Sequence, residues 1–195
     1  MTFFTDIRNK FKEEYSGRYL AHIVQAISIK HPEILRPFFP RGGKVLRCET
    51  EFLHSKKMNG SSQKDRFADL AIFEGDKPEP SVLVEIKAKD HRNLEHNNPQ
   101  LEAYIRWAKE RKGRQIVVLT QYSLPGETRE IVNISGGAAR EMSFLEFVND
   151  KKFNQLRSSS DFVDHFYLYL QEQGLVMHKF SDSDIEVRIS RHRDR

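Results

Sequence analysis

The stretch VLVEIKA, residues 82–88, places two charged side chains inside an otherwise apolar segment. Alternation along a β-strand sends its residues at even positions to one face, and Glu85 and Lys87 to the other. An ionised carboxylate that is buried without a partner is strongly destabilising. The stretch therefore predicts a strand on which Glu85 meets a metal ion, a ligand or a counter-charge, and an ion pair with Lys87 is the structural alternative.

The preceding apolar segment carries a carboxylate of its own. In FADLAIF, residues 67–73, Asp69 stands alone among apolar side chains, and the turn-rich EGDKPEP that follows predicts a hairpin. Such a hairpin brings Asp69 beside Glu85 on one face. Two converging carboxylates form a hard oxygen site suited to Mg²⁺ or Mn²⁺. Lys87 would then reach an attacking water or the charge that develops on a phosphate.

The segments on either side of this hairpin give the order of elements. Apolar residues recur at spacings of three and four over residues 5–29, which predicts a long amphipathic helix. Short turn-rich connections predict an antiparallel meander of three strands. The predicted elements are a helix at 5–29, a loop with a short helical turn at 31–43, strands at 45–54, 67–73 and 81–88, a helix from 99 to 113, a buried strand at 115–122, and C-terminal helices at 143–150 and 160–173.

This order of elements carries a family resemblance. Asp69 on the second strand and Glu85-Ile86-Lys87 on the third, after an N-terminal helix, resemble the PD-(D/E)XK nuclease superfamily. Ala68 stands where the motif has proline, a position that is commonly replaced in the superfamily. The resemblance implies that Asp69, Glu85 and the carbonyl of Ile86 hold a magnesium ion, for which manganese can substitute. It also implies that Lys87 positions or activates the water that cuts a phosphodiester bond.

A second match lies on the helix after the third strand. Gln100 and Tyr104 are four residues apart and so share one helix face. They match the Gln-x-x-x-Tyr motif of RecB-like nucleases, which implies that they bind substrate or orient the active-site lysine and carboxylates. Ordinary core packing of Tyr104 is the alternative.

Similar nucleases often carry a further glutamate on the first helix that helps to hold the metals. Glu14 is the first candidate because it lies at the edge of the predicted apolar stripe, and Glu13 is its neighbour. Glu49 or Glu51 on the first strand could substitute. The sequence leaves the choice among these four open.

The resemblance implies an α/β fold with a restriction-endonuclease-like core. That core is a mixed sheet of about four strands flanked by helices, with extra C-terminal helices. We expect the core at residues 1–135. A helical extension at 136–195 packs on it and ends in a basic tail.

Composition narrows the class of protein. A chain of 195 residues with 38% hydrophobic content suits one domain, and a net charge of +4 suits a partner that carries phosphates. The only cysteine, Cys48, excludes an intramolecular disulfide and a multi-cysteine zinc site. The N-terminus turns polar within five residues, so we expect a cytoplasmic protein without a membrane partner.

We expect a nuclease that acts on DNA rather than RNA, in defence or genome maintenance. A homodimer is expected if both strands of a duplex are cut, because each chain has one site. One rival is a nuclease-like module that binds nucleic acid or a nucleotide signal without cutting. Another is an interaction protein that uses the aromatic C-terminal helix, whose signature would be an exposed apolar patch.

Overall fold

The fold is built on a five-stranded mixed sheet. The computed structural model describes residues 16–39, 45–55, 66–88 and 98–176. The first three strands run antiparallel to one another, and the last three run parallel. Across the sheet the order is β1 (Val45–Ser55), β2 (Arg66–Glu74), β3 (Val82–Lys87), β4 (Gln115–Thr120) and β5 (Ala139–Ser143). The chain is therefore an α/β protein.

Helices cover both faces of this sheet. One core lies between the sheet, α1, a 3-10 helix and the C-terminal helices, and the other lies between the sheet, α2 and α3. The helices are α1 (Ser16–Lys30), α2 (Asn98–Lys109), α3 (Gly126–Asn133), α4 (Phe144–Asn149), α5 (Lys151–Ser159) and α6 (Asp161–Glu172), and the 3-10 helix is Pro32–Phe38. In the ranges that the structure describes, no helix is long and apolar enough to cross a membrane.

β3 is central because both of its faces are covered. Val84 and Ile86 belong to the core beneath α1, whereas Leu83 belongs to the core beneath α2. In the β2–β3 hairpin, Leu70 pairs with Val84. The next residues away from the turn are Asp69 and Glu85, so the hairpin brings the two acids to its open end.

The predicted meander is confirmed, and so is the helix that separates it from the next strand. The predicted mixed sheet is confirmed, but it has five strands instead of about four, because β5 adds one. The sequence AREMS of β5 buries only its first and fourth residues, so it lacks strand alternation. The α3 and α5 helices were also missed, and α5 buries one side chain, Phe153. The first part of the predicted N-terminal helix and the basic tail lie outside the described residues.

The predicted C-terminal extension contributes a strand to the common sheet and packs against α1. Residues 139–143 form a strand of the common sheet, parallel to β4. Tyr169 of α6 packs edge-on against Tyr19 of α1, with ring centroids 5.9 Å apart. The division at residue 135 stays a prediction.

Candidate active site

Asp69 and Glu85 lie side by side where the β2–β3 hairpin opens. Asp69 Oδ2 accepts a hydrogen bond of 2.7 Å from the backbone N–H of Ile86. Burial, and next the charge of Glu85, raise the pKa of Asp69 to about 7, although the Ile86 hydrogen bond and the charges of Lys87 and Arg18 act in the opposite direction. Two carboxylates thus share a poorly hydrated corner, an arrangement that a bound cation would relieve.

Both oxygens of Glu85 are held by neighbouring side chains. Lys87 Nζ lies 2.7 Å from Oε1, and the hydroxyl of Tyr104 lies 2.9 Å from Oε2. Burial raises the pKa of the Tyr104 phenol well above its usual range, so the phenol keeps its proton and donates it. These two contacts fix the orientation of the Glu85 carboxylate.

Gln100 and Tyr104 join the carboxylates through the start of β2. The carbonyl of Phe67 lies 2.7 Å from the Tyr104 hydroxyl and accepts a 3.3 Å hydrogen bond from Gln100 Nε2. Gln100 also donates to the hydroxyl of Tyr104. Because a phenol has one proton, Tyr104 donates to either Phe67 or Glu85 at a time. The two residues therefore tie the open end of β2 to the glutamate.

These side chains surround a shallow open cleft between α2 and the ends of β3 and β4, where the empty space of about 280 Å³ includes open solvent. Its polar lining residues come from β3, α2 and α3, and its apolar lining residues are Leu101 and Val118. Its lining residues are Glu85, Lys87, Gln100, Leu101, Tyr104, Val118 and Thr128. The structure thus brings four of the residues singled out in the sequence into one cleft, with Asp69 and Ile86 directly beside them.

The ion pair between Glu85 and Lys87 is present, as the structural alternative requires. It does not account for Asp69, which forms no ion pair of its own within the described residues yet is a second carboxylate in the same corner. A structural pair would be better served by a neutral residue at position 69. The presence of both acids therefore favours a functional site over a purely structural ion pair.

Helix α1 touches the carboxylate corner through a glycine. A Cβ atom added to Gly17 would lie 2.6 Å from the carbonyl oxygen of Ile86 and 3.5 Å from Asp69 Oδ2. No real side chain tolerates the first distance, so only glycine lets α1 approach this closely. No sequence pattern signals this role, because Gly17 lies in a helical segment where glycine is ordinarily unfavourable.

Replacing Gly17 by alanine is therefore expected to push α1 away from β3 and to shift the Ile86 carbonyl. We expect a loss of about 1–3 kcal/mol in the free energy of unfolding, as for other overpacked sites. Urea unfolding of Gly17→Ala measures it. Gly126→Ala is the matched control, because a Cβ there meets nothing within 4 Å. Equal stability of the two variants would contradict this account of Gly17.

The candidates for a third acidic residue of the site are Glu13, Glu14, Glu49 and Glu51. Glu13 and Glu14 lie outside the described residues and stay predictions. Glu49 forms an ion pair with Arg47 on its own strand, whereas Glu51 lies 3.2 Å from Arg18, the residue after Gly17. In the part of the chain that the structure describes, no group of three or more acidic, histidine or cysteine side chains is placed to hold a metal ion.

Glu51 has an unusual backbone conformation beside the site. Its φ of 50° is in the left-handed region that non-glycine residues rarely adopt. Its neighbours Thr50 and Phe52 pair with Leu70 and Ala68, the residues that flank Asp69. The side-chain alternation of β1 is interrupted between Cys48 and Phe52. Regular alternation would put both on the same face of the sheet, but Cys48 packs in the core beneath α1 and Phe52 packs against the core beneath α2. The sequence pattern contains no signal for this change of face.

Comparison with protein-family models finds no match to this chain, and neither a curated protein nor a solved structure matches it. Its function therefore has to be inferred from the site itself.

Proposed function

We propose that this protein is a Mg²⁺-dependent nuclease that hydrolyses phosphodiester bonds, in DNA rather than RNA. The observation that carries the proposal is the convergence of Asp69 and Glu85 at the open end of one hairpin, with the Ile86 backbone and the Lys87 ammonium beside them. The restriction-endonuclease-like core belongs to the same proposal. It is supported by the order of a helix, an antiparallel meander, a helix and a strand parallel to β3.

The donor set fits a hard divalent cation. Asp69, Glu85 and the Ile86 carbonyl offer only oxygen atoms, which Mg²⁺ and Mn²⁺ prefer. Gly17 lets the backbone of α1 pack directly against the Ile86 carbonyl and close to Asp69, with no side chain between them. A cation held there would supply Lewis-acid assistance to phosphodiester hydrolysis.

The remaining groups act around that cation. Tyr104 holds the Glu85 carboxylate through Oε2, and Gln100 holds Tyr104. The Lys87 ammonium is mostly buried and lines the cleft, where it would orient a water or stabilise negative charge on a phosphate. Charge in such a place is more effective than in bulk water because the local dielectric constant is lower.

The function is tested by incubating the protein with labelled single-stranded DNA, double-stranded DNA and RNA in Mg²⁺, in Mn²⁺ or in EDTA. We expect fragments with either metal and none with EDTA, and a greater rate on DNA. Binding without fragments in every condition would instead support the non-catalytic module. Size-exclusion chromatography with light scattering would show whether a homodimer forms.

The aromatic helix gives the interaction-protein rival little support. Phe166, Tyr167 and Tyr169 of α6 are buried, and Tyr167 packs against Phe153. Phe162 and Leu168 are exposed, but each leaves only about two fifths of its surface open. Most of the aromatic surface of this helix is therefore used in the core.

A further inference from the structure

Thr120 ends β4 on the sheet face that carries the site. In the parallel register of β3 and β4, Thr120 pairs with Lys87, and Val118 pairs with Glu85. Paired residues of a parallel ladder point to the same face, and Val118 lines the cleft. The side chain of Thr120 thus stands next to that of Lys87.

The hydroxyl of Thr120 is buried and unsatisfied. The residue is 2% exposed, and within the described parts of the chain its Oγ1 has no hydrogen-bond partner. A buried hydroxyl without a partner is destabilising, and valine has the same shape without that penalty. Ser135 shows the usual solution, since its buried hydroxyl accepts a 3.0 Å hydrogen bond from the N–H of Ala139. Thr120 therefore needs another explanation.

Lys87 will need a new acceptor once the carboxylates bind a cation. Without a cation, the Nζ atom of Lys87 lies 2.7 Å from Glu85 Oε1. A divalent cation bound to the Glu85 carboxylate would compete with Lys87 for that carboxylate. The cation would also repel the ammonium. A lysine that is mostly buried cannot lose its acceptor without penalty unless another lies within reach.

We propose that Thr120 is a positioning residue that accepts a hydrogen bond from Lys87 when a divalent cation occupies Asp69 and Glu85. Its Oγ1 lies on the adjacent strand, on the same face, and is uncommitted among the described residues. The hydrogen bond holds the ammonium over the cleft instead of letting it move into solvent. This inference rests on the proposed nuclease function.

The first test compares Thr120→Val with Thr120→Ser in single-turnover and steady-state cleavage with Mg²⁺. Thr120→Val is expected to lower kcat about 10- to 100-fold with little change in KM, since hydrogen bonds to charged groups are among the stronger ones. Thr120→Ser keeps the hydroxyl and is expected to restore most of the rate. Ser135→Ala is the control, with lower stability but an unchanged rate.

The second test uses no cleavage. Urea unfolding without metal is expected to find Thr120→Val at least as stable as the wild type. Addition of Ca²⁺ is expected to shift the side-chain NMR signal of Lys87, assigned by its absence in Lys87→Met, and to slow exchange of its Nζ protons. In Thr120→Val we expect that exchange to stay fast.

The outcomes separate this inference from the proposed function. Full activity in Thr120→Val, in a wild type that cuts, would overturn the inference and leave the nuclease standing. Loss of both stability and rate in Thr120→Val, without rescue by Thr120→Ser, would show a structural role and overturn it as well. A wild type that cuts nothing would overturn both.

Discussion

Replacing Lys87 by methionine is expected to lower the single-turnover rate of cleavage by about 10²- to 10³-fold, the usual loss when one preorganised charge-stabilising group is removed. Methionine keeps an unbranched side chain of similar length and removes only the ammonium. Lys87 lines the cleft directly beside Glu85 and is mostly buried. Its charge therefore acts where the phosphate would lie, and quench-flow measurement at saturating Mg²⁺ gives the rate.

Lys77→Met is the matched control for this variant. Lys77 also forms an ion pair with a glutamate, Glu74, but it is more than half exposed and lies on the turn between β2 and β3. We expect wild-type cleavage from Lys77→Met. If Lys87→Met cut as fast as Lys77→Met, the Glu85–Lys87 contact would be a structural ion pair and Lys87 would have no catalytic role.

Replacing Asp69 by asparagine is expected to have opposite effects on activity and stability. The amide oxygen can still accept the hydrogen bond from the N–H of Ile86, which Asp69 Oδ2 accepts in the native protein. The charge that would bind the cation is lost, so we expect cleavage to fall by at least about 10³-fold, as for other essential active-site groups. Single-turnover cleavage of Asp69→Asn measures this effect.

The stability effect of Asp69→Asn depends on pH. Folding raises the pKa of Asp69 from its ordinary value of 3.8 to about 7, chiefly by burial. Between these values the folded protein holds a proton that the unfolded chain has lost, so stability falls as the pH rises through this window. Asparagine removes that dependence. Without divalent metal, Asp69→Asn should therefore unfold at higher urea than the wild type at pH 8, and at similar urea at pH 4.

A difference in urea midpoint that does not grow between pH 4 and pH 8 would contradict the raised pKa of Asp69. Saturating Mg²⁺ provides an internal control. If the cation binds the ionised carboxylates, it stabilises the wild type at pH 8 and reduces the difference in urea midpoint between the wild type and Asp69→Asn.

The convergence of the candidate-site residues could be predicted because their sequence signals are local. Asp69, Glu85 and Lys87 interrupt apolar strands, and strand alternation alone puts Glu85 and Lys87 on one face. Gln100 and Tyr104 share a helix face because they are four residues apart. The hairpin then needed only a short turn to bring the two acids together.

The supporting residues could not be predicted because their roles come from contacts between distant segments. Gly17 meets the Ile86 carbonyl from a helix that is 69 positions earlier in the chain. Thr120 matters through its register with Lys87, which depends on how β4 joins the sheet. β5 could not be predicted because its hydrophobic alternation is weak and its position depends on pairing with β4. None of these contacts leaves a periodic trace in the sequence.

In the proposed function, Asp69, Glu85 and the Ile86 carbonyl hold the metal ion on which cleavage depends. The most direct measurement is the Mg²⁺ dependence of cleavage by the wild type, by Glu85→Gln and by the control Glu74→Gln, whose glutamate pairs with Lys77 on the turn. Glutamine keeps an oxygen for the Tyr104 hydroxyl, but it loses the negative charge and the oxygen that accepts from Lys87. We predict that Glu74→Gln follows the wild-type curve and that Glu85→Gln needs far more Mg²⁺ or does not cut. A Glu85→Gln curve that coincides with the wild type, or wild-type cutting that persists in EDTA, would contradict the claim.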